Sequence, residues 1–478
     1  MPPSDRYRPD PRFEALGQEF ADPVRAARFP THVLRLRNAR AAEAVGLDTL
    51  SDEEWTAAFA RFEPLPGNQP EPLAMRYHGH QFRTYNPNLG DGRGFLFAQM
   101  RDGAGRLLDL GTKGSGQTPY SRFGDGRLTL KGGVREALAS AMLEALGVPT
   151  SRALALFETG EALERHDEPS PTRAAVLTRL SHSHIRFGTF QRHAYLGRPD
   201  LVQALIDHGL QTYFPALWPI EPDRSAAALL RAVTERCAHL TARWMAAGFV
   251  HGVLNTDNMN ITGESFDYGP YRFLPRNDPS FTAAYFDETG LYCFGRQPEA
   301  VFWNLQQLGA ALAATGCPRE PLVEALEGFG EAYSRALTEA VIARLGVKPR
   351  SAEQDQALAG ATFEAIAEAG EPARWEPFFF DWFGGSISEA RAGRGPRAGA
   401  YGGPAARAFR DRLAAYEAAA PERLDLPYFQ AAEPEELLYD EIEAIWARID
   451  ADDDWSLFER KLARIDQARL AWGLGANF

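Results

Sequence analysis

Cysteine is scarce in this sequence, which contains only Cys237, Cys293 and Cys317 among 478 residues. None of the three forms a CxxC pair, and so few cysteines in so long a chain do not make a disulfide framework. A protein that does not depend on disulfides suits a reducing environment. The cytoplasm is therefore the compartment that we expect for this chain.

Long apolar runs are absent as well. No stretch approaches the roughly 18 apolar residues that a membrane-spanning helix requires, and the N-terminal MPPSDRYRPDPRF lacks the apolar core of a secretory signal. Acidic residues outnumber basic residues, 64 to 51, and the formal net charge is −13. This charge argues against nonspecific binding to nucleic acid or to an anionic membrane surface. We expect neither nucleic acid nor a membrane among the partners.

The overall composition is that of an ordinary globular protein. Hydrophobic residues make up 45% and charged residues 24% of the sequence. A chain of 478 residues is long enough for several domains or for one large two-lobed enzyme. Strand patterns dominate residues 80–190, and helical periodicity dominates after residue 200. The sequence therefore predicts an α+β fold in which a β-rich lobe precedes a helical lobe.

The segment FVHGVLNTDNMNITGESFDYGP concentrates oxygen donors. Its Asp257, Asn258 and Asp267 are of the kind that hard divalent cations prefer. Met259–Ile261 and Phe266–Tyr268 are predicted to form a hairpin, which would bring Asn258 and Asp267 close enough to share one ion. Acid-rich loops beside strands are often only solvated turns. The second Asp, within an Asp-Tyr-Gly triplet, favours instead the magnesium site of a kinase-type phosphotransferase.

Two glycine-rich turns interrupt the strand region. The first is GDGRG at 90–94, and the second is the Gly-Asp-Gly at 124–126, inside a long loop that begins at Gly114. Glycine lets backbone N–H groups approach a ligand closely, and Arg93 adds a positive charge suited to a phosphate. Taken alone, the first turn is also compatible with a plain connection between two strands.

Four charged residues match the parts of a phosphate site. Lys113 ends an apolar strand, and Glu136 lies in the first turn of a helix whose apolar spacing covers Val134–Leu146. Separately, such a lysine is usually a surface residue and such a glutamate complements the helix dipole. Together, they match the ion pair with which kinases position nucleotide phosphates. Arg179 and Arg186 flank a short polar loop, so both can turn toward one anion.

The order of these motifs resembles the selenoprotein O family. The resemblance rests on GHQF, GDGRG, GTKGSGQTPYSRFGDGR, RFGTF, HGVLNTDNM and DYGP, and it covers about residues 76–298. It implies a two-lobed protein-kinase-like fold. It also implies that ATP binds in an orientation flipped relative to ordinary kinases and that AMP is transferred to Ser, Thr or Tyr hydroxyls of protein substrates.

The resemblance further implies a role for each matching residue. Lys113 would pair with Glu136 and hold phosphate, and Asp257 would act as the base. Mg²⁺ or Mn²⁺ would bind Asn258 and Asp267. The residues that would contact ATP are Gly90, Gly92, Arg93, Lys113, Asp125, Gly126, Glu136, Arg179, Arg186 and Asp267. The two arginines among them, at 179 and 186, would grip a buried γ-phosphate.

The strand and helix patterns, together with the resemblance, divide the chain into four regions. We expect an extension packed on the core at 1–75, a β-rich nucleotide-binding lobe at 76–200, a helical lobe with the catalytic and metal loop at 201–315, and a helical C-terminal region at 316–478. The sequence departs from the family at Phe281–Ala284 and in the final LAWGLGANF, where family cysteine or selenocysteine is missing. We therefore do not expect a redox-switching disulfide.

Two alternatives use the same residues. An ordinary phosphotransferase would carry ATP in the usual orientation, and residue chemistry alone does not separate it from AMP transfer. A nucleotide-binding pseudoenzyme that acts as a scaffold is the second. Retention of Lys113, Glu136, Asp257, Asn258 and Asp267 argues against the scaffold.

Overall fold

A large antiparallel sheet occupies the N-terminal part of the chain, and helices follow it. The computed structural model describes residues 4–166, 168–370 and 374–474. The strands are β1 Arg8–Pro9, β2 Ala21–Pro23, β3 Val33–Arg37, β4 Leu73–Met75, β5 Gly79–Gln81, β6 Thr84–Asn86, β7 Leu96–Arg101, β8 Leu107–Lys113, β9 Leu128–Thr129, β10 Arg152–Leu163, β11 Thr172–Ser181, β12 Phe249–Val250 and β13 Arg272–Phe273. The helices are α1 Ala39–Ala44, α2 Asp52–Phe59, α3 Leu130–Ala145, α4 Phe187–Tyr195, α5 Pro199–Tyr213, α6 Pro222–Ala246, α7 Gln297–Leu312, α8 Arg319–Glu327, α9 Phe329–Arg344, α10 Ala352–Ala369, α11 Trp375–Trp382, α12 Glu389–Ala392, α13 Pro404–Leu413, α14 Pro427–Gln430, α15 Tyr439–Asp452 and α16 Ser456–Trp472.

The main sheet has the strand order β2-β4-β7-β8-β11-β10-β3, and every neighbouring pair is antiparallel. The sequence predicts strands at Leu107–Leu110, Ala153–Phe157 and Ala174–Leu180, and these are confirmed as parts of β8, β10 and β11. The sequence pattern indicates only helical pieces from Leu34 onward, and for the edge strand Val33–Arg37 this is wrong. Leu34 and Leu36 alternate with Arg35 and Arg37 there, and pairing with β10 selects this two-residue period.

Each face of the sheet has its own apolar cover. The helix α3 packs on one face, where Leu138 and Met142 join a cluster with sheet residues such as Leu177. On the other face, Trp55 and Phe59 of α2 pack with apolar sheet side chains. Ser51, which precedes Asp52-Glu53-Glu54 in the sequence, predicts the N-cap of α2, and this is confirmed because Ser51 and Glu54 form a reciprocal capping box. The sheet therefore lies between α3 and the N-terminal residues.

A separate apolar cluster lies in the helical half and is built mainly from α9 to α13. The composition of Gly393–Pro404 predicts a flexible linker, and this is wrong. Arg397 donates two hydrogen bonds of 2.8 Å to Asp381, and Tyr401 is buried beside them. The sequence also predicts a helix that opens at Pro434, but α15 begins only at Tyr439.

The architecture confirms a fold of mixed helices and strands with an antiparallel sheet. Cys237, Cys293 and Cys317 are all free thiols. Within the part of the chain that the structure describes, no helix is both long enough and apolar enough to span a membrane. The last four residues of LAWGLGANF lie outside the described residues.

Candidate active site

A cleft of about 780 Å³ lies between the glycine-rich turns of the sheet and the segment around Asp257. The sequence-predicted residues that line it are Gly90, Gly92, Arg93, Lys113, Asp125, Gly126, Arg179, Arg186, Asp257, Asn258 and Asp267. Glu136 lies behind Lys113 and accepts a hydrogen bond from its Nζ. The fold thus brings together residues from distant parts of the sequence.

The sheet register positions two of the cations. Lys113 ends β8 opposite Leu177 of β11, and Arg179 lies two residues further along β11. Residues two apart on a strand share a face, so Lys113 and Arg179 approach the cleft from neighbouring strands. The helix α3 supplies Glu136, whose carboxylate accepts a hydrogen bond from Lys113 Nζ. This buried ion pair joins the sheet to the helix.

The cations converge on Asp267. Arg179 Nη1 lies 2.5 Å from Asp267 Oδ1, Arg186 Nη1 lies 2.9 Å from Oδ2, and Lys113 Nζ lies 3.5 Å from Oδ1. Burial alone would raise the pKa of Asp267, but the charges of Arg179, Lys113 and Arg186 hold that pKa well below its usual range. The Asp267 backbone has a φ of +61°, a left-handed conformation that Asp adopts more readily than most residues. Asp267 is therefore ionised and aimed at the cations of the cleft.

Arg186 is held from several sides at the start of α4. Its Nη1 donates to the Asp257 carbonyl oxygen at 2.6 Å, and its Nη2 lies 3.5 Å from Asp91 Oδ1. The guanidinium also lies over the rings of Tyr77 and Phe266, 4.7 and 4.9 Å from their centres. The sequence did not point to the supporting side chains of Asp91, Tyr77 and Phe266. Of these three, only Asp91 could have been found from the sequence, because it lies between Gly90 and Gly92, which were predicted to contact the nucleotide.

Asp257 is buried at the edge of this cluster, with 9% of its surface exposed. Burial raises the pKa of the Asp257 carboxyl to about 6, and the nearby charge of Arg186 opposes part of this shift. Its Oδ1 has no hydrogen-bond partner among the residues that the structure describes. A buried acceptor without a donor is costly, so Asp257 is suited to receive a proton from a hydroxyl that enters the cleft.

Asn258 and Asp267 supply the oxygen donors for a cation. Asn258 Nδ2 donates to the Val253 carbonyl oxygen at 2.9 Å, which leaves its amide oxygen as an acceptor in the cleft. Across the described ranges, no group of three or more His, Cys, Asp or Glu side chains could hold a metal ion. Mg²⁺ commonly takes one or two carboxylates together with substrate phosphates and water. An amide, an ionised carboxylate and an incoming triphosphate fit that requirement.

The glycine turns bring the chain into close contact at the cleft wall. Gly126 has a φ of +70°, and a Cβ atom there would lie 2.2 Å from the Gly116 carbonyl. A Cβ atom on Gly90 would lie 2.3 Å from the ring of Tyr120. Next to Gly126, the Asp125 carboxylate pairs with Arg165 Nη1 at 2.8 Å and lies at the exposed rim. No side chain larger than hydrogen fits at either glycine.

The hairpin predicted from Met259–Ile261 and Phe266–Tyr268 is wrong. Asn260 Oδ1 accepts the backbone N–H of Glu264 at 3.0 Å and closes a local turn instead. In this segment, Asn260 pairs with Arg186 and Ser265 pairs with Thr150, each in an isolated β-bridge. The two predicted strands do not pair with one another. Asn258 and Asp267 therefore reach the same cleft through packing against other elements.

Comparison with known proteins identifies the family of this chain. A family described as protein adenylyltransferase SelO matches residues 6–391. A protein named protein nucleotidyltransferase YdiU from Synechocystis sp. is 51% identical over 380 residues, which is 78% of each chain. A protein of the same name from Gloeobacter violaceus is 46% identical over 467 residues, covering 95% of this chain and 94% of its own. The chain belongs to the protein adenylyltransferase SelO family.

Proposed function

We propose that this enzyme transfers AMP from ATP to Ser, Thr or Tyr hydroxyls of proteins, with ATP bound so that its γ-phosphate is innermost. We further propose that the sheet and the helices after residue 200 correspond to the two lobes of a kinase-like fold. The cytoplasm remains the predicted compartment.

One observation carries the proposed orientation: the cationic side chains at the floor of the cleft are buried, whereas residues at its rim are exposed. The side chains of Lys113, Arg179 and Arg186 are 8%, 5% and 6% exposed. Arg93 and Asp125 at the rim are exposed. Phosphate oxygens pair well with buried guanidinium groups, whereas adenine carries no negative charge with which to bind them. The terminal phosphates therefore belong at the floor and the nucleoside toward the rim.

The side chains supply the parts of an in-line displacement. The acceptor hydroxyl gives its proton to Asp257 as its oxygen attacks the α-phosphorus. The bond between that phosphorus and the bridging oxygen breaks, and pyrophosphate leaves while Arg179 and Arg186 hold it. Fixed positions for the leaving group and the base lower the barrier because the reacting atoms are already aligned.

The metal assignment extends the proposal. Asn258 and Asp267 would hold Mg²⁺ or Mn²⁺, and the cation would neutralise the charge that develops on the phosphate oxygens. Asp267 already contacts the three cationic side chains at the floor. Its carboxylate would then keep both the metal ion and the phosphate-binding side chains in one arrangement.

Labelled ATP tests the proposal. Incubation of the enzyme and Mg²⁺ with protein acceptors should place label on protein from [α-³²P]ATP and none from [γ-³²P]ATP. Asp267→Ala should abolish the incorporation. Label from the γ position would show an ordinary phosphotransferase, and ATP binding without turnover on any acceptor would show a scaffold. Full activity of Asp267→Ala would overturn the metal assignment.

A further inference from the structure

Three exposed aromatic side chains form a patch beside the cleft. Phe82, Tyr285 and Phe286 are 37%, 82% and 46% exposed. The ring centres of Phe82 and Phe286 lie 5.9 Å apart, and those of Tyr285 and Phe286 lie 5.1 Å apart. Exposed apolar residues are normal when scattered, but contiguous ones indicate a binding surface. We call these three residues the aromatic patch.

Hydrogen bonds fasten the aromatic patch to the loop that carries Asp257. The Phe82 backbone N–H donates to Asn255 Oδ1 at 3.0 Å, and the Tyr292 hydroxyl donates to the same oxygen at 2.8 Å. The ring of Tyr292 packs against that of Phe82, with centres 5.1 Å apart. Gln81, the neighbour of Phe82 in sequence, lines the cleft together with Asp257. The patch is therefore continuous with the catalytic end of the cleft.

The backbone holds Phe82 in an unusual conformation. Phe82 and Arg83 form the two-residue turn between β5 and β6, and their φ angles are +49° and +63°. Such turns usually contain Asn-Gly or another glycine pair, because other residues resist positive φ. Strained positions that the surrounding structure maintains are often functional. Here the conformation keeps the Phe82 ring at the surface beside the other two rings.

Two arginines beside the patch share one carboxylate, that of Glu299. Arg83 lies 2.8 Å from Glu299, and Arg296 lies 3.0 Å from the same carboxylate. Glu299 holds both arginines, and the exposed rings stay available to contact an apolar group. The surface that a partner presents to the rings themselves is therefore apolar.

We propose that the aromatic patch binds an apolar side chain of the acceptor polypeptide, a few residues from the hydroxyl that receives AMP. This inference rests on the proposed function, because the acceptor must place its hydroxyl at Asp257. A polypeptide can occupy the cleft mouth and the patch at once, since the two surfaces are continuous. The patch therefore selects among hydroxyl-bearing segments by their apolar neighbours.

A peptide library tests this proposal. The probe is a set of peptides with one fixed Ser, Thr or Tyr and randomised flanking positions, labelled with [α-³²P]ATP. The wild type should modify peptides with Phe, Leu or Ile at one flanking position about tenfold faster than peptides with Asp there. In the double variant Tyr285→Asp, Phe286→Asp that ratio should fall to about one, while the Kd for ATP stays unchanged.

Controls separate the possible outcomes. Leu470→Asp makes the same change at an exposed apolar residue on α16 (59% exposed) and should keep the wild-type preference. Tyr285→Ser alone should lower the preference in part. This milder variant still tests the patch if the double variant fails to fold. An unchanged preference in both patch variants overturns the inference and leaves the proposed function intact. Failure of the wild type to modify any peptide or protein overturns the proposed function.

A second copy of the chain is the competing occupant. Sedimentation of the wild type and the double variant measures this directly. A dimer that is lost in the double variant, with peptide preference retained, would show that the patch is a self-interface and would overturn the proposal.

Discussion

Replacing Asp267 by Asn tests the contribution of its negative charge to stability, to ATP binding and to catalysis. The change removes one negative charge while keeping the size of the side chain. Lys113, Arg179 and Arg186, which all lie within 3.5 Å of the carboxylate, then lose a common partner. Removing one member of a buried ion pair costs about 3–5 kcal/mol. Because the Asp267 side chain is 18% exposed, we expect the lower end of that range, about 3 kcal/mol.

The same substitution should strengthen binding of metal-free ATP. In the wild type, Asp267 occupies guanidinium donors that the phosphates need. The neutral amide of the variant competes less strongly for those donors. With EDTA present, ATP should therefore stabilise Asp267→Asn more than the wild type by about 1.5 kcal/mol, the value of one charge-assisted hydrogen bond. AMP transfer with Mg²⁺ should nevertheless be lost.

Urea unfolding with and without ATP and EDTA measures both effects. Asp200→Asn is the matched control, because Asp200 forms an exposed ion pair with Arg198 at 2.7 Å, and surface pairs contribute little. It should leave stability, ATP binding and transfer as in the wild type. Equal stability of Asp267→Asn and the wild type, with equal stabilisation by ATP, would refute the assignment of these cations to phosphate.

Three other perturbations probe the buried acids of the site and its surroundings. The pKa of Asp257 is raised to about 6, so kcat at saturating ATP should fall about tenfold per pH unit below pH 6; a profile flat down to pH 4.5 would exclude Asp257 as the base. Burial raises the pKa of Glu264 to about 8, so its neutral form favours the folded state and this contribution is lost as pH rises toward 8. Urea unfolding should therefore show Glu264→Gln gaining about 1 kcal/mol per pH unit over the wild type between pH 6 and 8, and parallel pH curves would contradict this. Glu136→Gln removes the charged partner of Lys113 and should lower kcat/KM for ATP about 100-fold; wild-type kinetics would dissociate the pair from catalysis.

Local patterns predicted the parts of the site that depend on one element at a time. The apolar segment before Lys113 predicted a strand, and the helical spacing around Glu136 predicted a helix. Both hold because a single element fixes the direction of each side chain. Whether the two side chains meet depends on how α3 packs on the sheet. That expectation came from the ion pair that kinases build between a strand lysine and a helix glutamate, and from the family resemblance.

Interactions between distant segments explain what the sequence did not show. Asp91 and Tyr77 support Arg186 from positions about 100 residues earlier, which no local pattern encodes. The segment after Asn258 has a strand-like composition, but Asn260 closes a turn with Glu264 before a hairpin can form. Val33–Arg37 is a strand because β10 offers an unpaired edge. In each case a partner elsewhere in the chain determines the outcome.

The orientation of bound ATP is the central claim, and a structure with a non-hydrolysable ATP analogue and Mg²⁺ tests it most directly. We expect the γ-phosphate oxygens within hydrogen-bond distance of the Arg179 and Arg186 guanidinium groups and the α-phosphate next to Asp257. A γ-phosphate at the mouth of the cleft beside Asp257, with adenine at the cationic floor, would contradict the account.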